Sequence, residues 1–106
     1  MKKLIVSTKQ DIKMKSGKTI SANTLCDITP VNSSYLLVKP INEPEKVCRM
    51  PYEKAYQYLT KFKKAPTIKT LEKYVLSGIT KNPLGNTVEP DGYDCYGIPS
   101  WCLIMF

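Results

Sequence analysis

Residues 65–101, APTIKTLEKYVLSGITKNPLGNTVEPDGYDCYGIPSW, carry most of the structural information in this chain. Pro66 forbids helix immediately before it, and Thr67 is a good N-cap. Ile68, Leu71 and Val75, with Tyr74 beside them, repeat at helical spacing, and Gly78 stands where a left-handed C-cap residue belongs. If Leu71 and Val75 face inward, then Lys69, Thr70, Lys73 and Ser77 face outward. Past Gly78 the pattern becomes strand and turn. Ile79-Thr80 and Thr87-Val88-Glu89 read as a hairpin, with Lys81 and the loop Asn82-Pro83-Leu84-Gly85-Asn86 at its tip. Pro90-Asp91-Gly92 is a tight turn whose glycine permits positive φ. Gly97-Ile98-Pro99 then leads into an apolar strand over residues 100–106, in which Trp101 is a core plug.

Upstream, Tyr52, Ala55, Tyr56, Leu59 and Phe62 occupy one face of a second helix. Pro51 suits its first position, and Lys61, Lys63 and Lys64 crowd its last turn, where cations complement the helix dipole. Joined by Lys64-Ala65-Pro66, the two helices read as a helix-turn-helix, and the hairpin after them as a wing. Residues 1–50 read as β. Lys3-Leu4-Ile5-Val6-Ser7 is a short strand, and Ile12-Lys13-Met14-Lys15 turns at Ser16-Gly17 into Lys18-Thr19-Ile20. Thr24-Leu25-Cys26-Asp27-Ile28-Thr29, Tyr35-Leu36-Leu37-Val38 and Lys46-Val47-Cys48-Arg49 follow, punctuated by Pro30, Asn32-Ser33-Ser34, Pro40 and Asn42-Glu43-Pro44. The expected fold is α+β: a small antiparallel sheet or SH3-like barrel over 1–50, then a winged-helix-like unit over 51–106, the two able to share one core.

The charge is uneven. Residues 1–81 hold sixteen cations and six acids, +10, whereas residues 82–106 hold three acids and no cation, −3. A basic body points to an anionic partner. A solvated face on a lysine-rich background gives the same total, since fifteen of the sixteen cations are lysine. The cysteines at 26, 48, 95 and 102 have no zinc spacing, and histidine is absent. Four buried, inert thiols in a reducing cytoplasm are the expectation, with no secretory segment and no membrane span.

Catalysis finds little support. Without histidine no side chain titrates near neutrality at its ordinary pKa, and Asp91 with Asp94 lacks a third acid or a phosphate loop. No catalytic residue, metal ligand or cofactor is therefore assigned. The nucleic-acid reading assigns phosphate contacts to Lys61, Lys63, Lys64, Lys69, Lys73 and Lys81, with Thr70 and Ser77 setting register. Six neutralised phosphates on duplex DNA imply a salt slope of roughly −5. Glu89, Asp91 and Asp94 fit a phosphate-facing wing poorly, and together with Tyr93 and Tyr96 they make a candidate protein contact.

Thr70-Leu71-Glu72-Lys73-Tyr74, Gly78, Gly85, Val88-Glu89-Pro90-Asp91-Gly92, Gly97 and Pro99-Ser100-Trp101 occur in that order. This pattern resembles a C-terminal signature of many small tailed-phage proteins. It covers about the last third of the chain. Tyr74 departs from the usual tryptophan, and residues 102–106 lack the usual glycine. The resemblance implies a phage setting, hence the cytoplasm of an infected bacterium, without implying a mechanism. More loosely, the region resembles the helix-then-wing end of MerR-like and excisionase domains. Two functions follow as expectations: an accessory protein binding DNA or RNA, or an inhibitor occupying a host defence or nucleic-acid-processing protein. Monomer and dimer both remain open, as no heptad pattern drives pairing.

Overall fold

The computed structural model describes residues 2–106. Strand β1 (Leu4–Ser7) is followed by the hairpin β2 (Ile12–Lys13) and β3 (Thr19–Ile20), then by β4 (Leu25–Pro30) and β5 (Tyr35–Pro40). A single 3-10 turn, Pro44–Lys46, leads to β6 (Cys48–Pro51) and helix α1 (Tyr52–Tyr58). Helix α2 (Ile68–Ser77), the hairpin β7 (Thr80–Lys81) and β8 (Thr87–Val88), and helix α3 (Trp101–Met105) complete an α+β fold. The main sheet has four antiparallel strands in the order β1-β4-β5-β6.

Strand alternation sorts the sheet into an inner and an outer face. Leu4 pairs with Ile28, Ile28 with Val38 and Val38 with Cys48, so one apolar row crosses all four strands. Val6, Cys26, Leu36 and Met50 are buried with that row, and burying each large side chain contributes about 1.5–3 kcal/mol. The outer face is polar at intervals: Lys3 meets Asp27 at 3.6 Å, and the Arg49 guanidinium lies 4.6 Å from the centre of the Tyr35 ring. Ile12, Ile20, Tyr52, Ala55, Leu59, Phe62, Leu71, Ile98 and Trp101 join the same core.

Three elements differ from the sequence expectation. Helix α1 ends at Tyr58, although Leu59 and Phe62 continue its apolar spacing and are buried. The edge of β1 captures the chain instead. Thr60 N donates to Ser7 O at 2.9 Å, Ser7 N donates to Thr60 Oγ1 at 3.2 Å, and Lys9 N and Nζ cap the Tyr58 and Tyr56 carbonyls at 2.7 Å. Pro51 is the N-cap, Lys61 sits in a turn at φ 70°, and Lys63 and Lys64 lie on the strap that follows. The helices are thus separated by residues 59–67 and not by a three-residue turn. Helix α1 packs beside β6, whereas α2 packs on α3 and β7.

The second difference is α3, where a strand was expected. Ser100 Oγ accepts from Leu103 N at 3.1 Å and donates to Pro90 O, which fixes a capped helical turn. Trp101 is buried as expected. The third is the rotation of α2. Its caps are as read, with Thr67 accepting from Thr70 N and Gly78 at φ 73°, but Leu71 is its one buried residue. Val75 and Ile68 lie roughly 70° and 90° around the helix from the line between Leu71 and half-buried Tyr74, which explains their exposure. Smaller corrections concern Gly92 and the thiols. Gly92 has no positive φ; a Cβ there would meet the Glu89 backbone at 3.2 Å. Cys26 and Cys102 are buried, Cys48 is half-buried and Cys95 is exposed, all four as free thiols.

Candidate nucleic-acid interface

The hairpin loop is built on Asn82, a fully buried side chain. Its Oδ1 accepts from Leu84 N at 3.1 Å and Asn86 N at 2.9 Å, closing the loop on itself. Its Nδ2 donates to Asp94 Oδ2 at 2.7 Å. Asp94 holds the following loop in the same way, accepting from Tyr96 N at 2.9 Å, Ile98 N at 3.0 Å and Asn86 Nδ2 at 3.0 Å. Charge-assisted bonds of this kind are stronger than neutral ones. The β7–β8 loop and the loop around Asp94 are therefore fixed to each other by two side-chain amides and one carboxylate.

This fixed frame gathers cations from two segments. The strap joins the loop where Lys63 N donates to Pro83 O at 2.6 Å. Lys63, Lys64 and Lys81 then line a groove of about 230 Å³ floored by Tyr74, Asn82 and Trp101. Lys61 and Lys63 line its neighbour with Asn86 and Tyr96. Among the described residues the ion pairs are Lys3–Asp27 and Lys46–Glu43, so none of these four lysines is neutralised by an acid. Lys81 Nζ donates to Thr87 Oγ1 at 2.6 Å, which keeps it extended along β8.

The remaining assigned residues are placed as follows. Lys69 and Lys73 are exposed on α2, but about 140° and 100° around the helix from Tyr74, away from the groove. Thr70 supports the N-cap, its Oγ1 lying 3.1 Å from Thr67 Oγ1, and Ser77 Oγ bonds the Tyr74 and Ile79 carbonyls at 3.2 and 3.1 Å. Both hydroxyls are engaged within the helix ends. Glu89 and Asp91 are exposed, without a bond to the lysine groove. Tyr93, 59% exposed, shares a cleft with Val31, Asn32 and Gly97 beside the β4–β5 turn. Tyr96 sits with the lysines and not with Glu89 and Asp91.

Sequence reading missed Tyr74 and Asn86 as groove residues and Asn82 as the buried hub. The repeated Asx pattern, Asn82 two residues before Leu84 and Asp94 two before Tyr96, was the available signal. No three acidic or thiol side chains cluster with metal-ligand geometry among the described residues. No described helix is long and apolar enough to cross a membrane. No family model, curated protein or solved structure matches the chain.

Proposed function

We propose that this chain is a non-enzymatic phage accessory protein that binds DNA or RNA, acting in the cytoplasm of the infected host cell. The observation that carries the reading is the convergence of Lys61, Lys63, Lys64 and Lys81 on the β7–β8 hairpin, with no acid paired to any of them. Ammonium groups on a rigid loop frame suit phosphates, whose contacts supply most non-specific affinity. Half-buried Tyr74 and Tyr96 line the same grooves, and aromatic side chains beside a cationic groove suit an unstacked base. A helix followed by a hairpin supports a winged-helix-like arrangement, and the short antiparallel strands before it an SH3-like one. Lys69 and Lys73, exposed on α2, lie outside these grooves and are not counted among the phosphate contacts. Binding to duplex DNA should follow a salt slope of about −3.6 for four phosphates, and Lys63→Ala with Lys81→Ala should reduce it by about 2. A flat salt response, or an undiminished slope in the double variant, contradicts the proposal.

One observation favours a second reading, inhibition of a host protein. Tyr93 stands exposed and lines, with Asp94, Val31 and Asn32, the cleft beside the β4–β5 turn. Capture of a stoichiometric host protein that survives nuclease and is lost on Tyr93→Ala would support it over nucleic-acid binding.

A further inference from the structure

The main sheet has two edges, and the chain bonds its own segments along one of them. At β1, Lys2 N donates to Cys95 O at 2.8 Å and Thr60 N to Ser7 O at 2.9 Å. Beside β6 no further strand pairs. The ladders show which backbone groups are left there. Ile41 N donates to Leu25 O at 3.0 Å and Val31 N to Tyr35 O at 3.3 Å, so Tyr35, Leu37 and Lys39 bond the β4 side. Leu36 and Val38 therefore bond β6 through Met50 and Cys48, and Arg49 between them turns its N–H and C=O outward. In the neighbouring hairpin, Met14 N donates to Lys18 O at 2.9 Å, so Ile12 and Met14 bond the β3 side and Lys13 turns outward. Among the described residues, these outward groups of Lys13 and Arg49 have no hydrogen-bond partner. Both free edges border one groove of about 420 Å³, lined by Ile12, Lys13, Met14, Lys15, Cys48 and Arg49.

Charge and pleat identify the occupant. Ile12 is buried and Met14 and Cys48 half-buried, whereas Lys13, Lys15 and Arg49 are exposed. The ion pairs among the described residues are Lys3–Asp27 and Lys46–Glu43, so none of these three cations is neutralised. Asp11 accepts from Ala22 N at 2.9 Å, and Glu45, on the 3-10 turn, does not line the groove. A polypeptide strand brings both donors and acceptors to a free edge, whereas a phosphate backbone brings acceptors only. A second copy pairing through the same edge would set like charges opposite each other. We propose that this groove takes an extended acidic peptide of a partner protein, added as a strand along β6. A residue opposite Arg49 shares its outward face, and the residues on either side of it point inward. The recognised pattern is thus acidic and apolar in alternation, carboxylates meeting Lys13, Lys15 and Arg49 and apolar side chains meeting Met14 and Cys48. A carboxylate at Arg49 can accept two parallel N–H bonds, and the guanidinium is already held 4.6 Å from the centre of the Tyr35 ring. No residue of this groove belongs to the lysine groove, so the contact does not depend on nucleic-acid binding.

The test is titration of the full isotope-labelled chain, free of nucleic acid, with short capped peptides that alternate glutamate with valine, isoleucine or tyrosine. Amide resonances and hydrogen exchange report the contact. Binding should slow exchange of the Lys13 and Arg49 amides about ten-fold or more, as a new ladder requires. Arg49→Glu and Lys13→Glu, both at exposed sites, should each weaken affinity about ten-fold with an unchanged circular dichroism spectrum. The same peptide N-methylated at alternate residues keeps its charge but lacks ladder donors, and should lose most of its affinity. An N-methylated peptide that binds as well as its parent, an unaffected Arg49→Glu variant, or no peptide binding up to millimolar concentration overturns the proposal. So do shifts at Lys13 and Arg49 produced by oligothymidylate and not by peptide, which would give the groove to nucleic acid. Protection of the Arg49 amide on concentrating the chain alone would give the edge to a second copy, and overturns it as well.

Discussion

The sheet and the segment after Pro66 are stabilised by different physics. In the sheet, apolar rows from β1, β4, β5 and β6 face one core, and backbone ladders account for the polar groups. After Pro66, helix α2 buries Leu71 alone, and the loops are held by Asn82, Asp94 and Ser100 bonding nearby backbone. The sheet is thus a scaffold whose stability lies in burial. The later segment is rigid at its turns while presenting uncovered cations and apolar side chains.

The largest expected effect lies on the scaffold side of that contrast. Leu36→Ala should cost about 2–5 kcal/mol by leaving a cavity, and should lower hydrogen-exchange protection throughout the sheet. Asn82→Ala should cost less, about 1–3 kcal/mol, because it strands the Leu84 and Asn86 amides and one bond to Asp94. Its loss of protection should be confined to residues 82–98. Equal global loss in both variants, measured by native-state hydrogen exchange, would break the comparison.

Smaller effects come from buried titratable groups in the scaffold. Burial, with Cys48 beside it, pushes the Cys26 thiol up from 9.0 to about 11. A raised thiol pKa means that the folded state holds its proton longer than the unfolded one. Its stabilisation is therefore complete below pH 9 and is lost as pH rises from 9 toward 11. Denaturant titrations across that window should show stability falling, and Cys26→Ala should flatten the fall while lowering stability at pH 7 through lost packing. Tyr52 is also raised from 10.0, chiefly by burial and then by Tyr93 and Asp94, and its hydroxyl has no partner among the described residues. Tyr52→Phe should therefore leave stability at pH 7 unchanged or higher by up to about 1 kcal/mol, and reduce the loss above pH 10.

Local chemistry made much of this legible from sequence. Strand alternation marked the sheet, Thr67 and Gly78 bounded α2, and the two short strands around residues 82–86 were recognisable as a hairpin. The end of α1 was not legible, because Leu59 and Phe62 stay buried at helical spacing although Ser7, more than fifty residues away, has pulled the chain out of the helix. Residues 101–105 are apolar enough for either strand or helix, and the deciding Ser100 cap was passed over. The rotation of α2 depends on what packs against it, which periodicity alone does not specify. For the site, cationic composition was visible, but its division was not. The segment after α1 brings Lys61, Lys63 and Lys64 to Lys81, while the helix carries Lys69 and Lys73 elsewhere.

That division can be read directly by titrating the isotope-labelled chain with a short DNA duplex at low salt and following its amide resonances. The lysine groove as the phosphate-contacting surface predicts the largest shifts at residues 61–64, 81–86 and 96, with the outer sheet face around Asp27 and Lys39 unmoved. Shifts centred on α2 at Lys69 and Lys73, or on Glu89, Asp91 and Tyr93, with residues 61–64 unchanged, would contradict it.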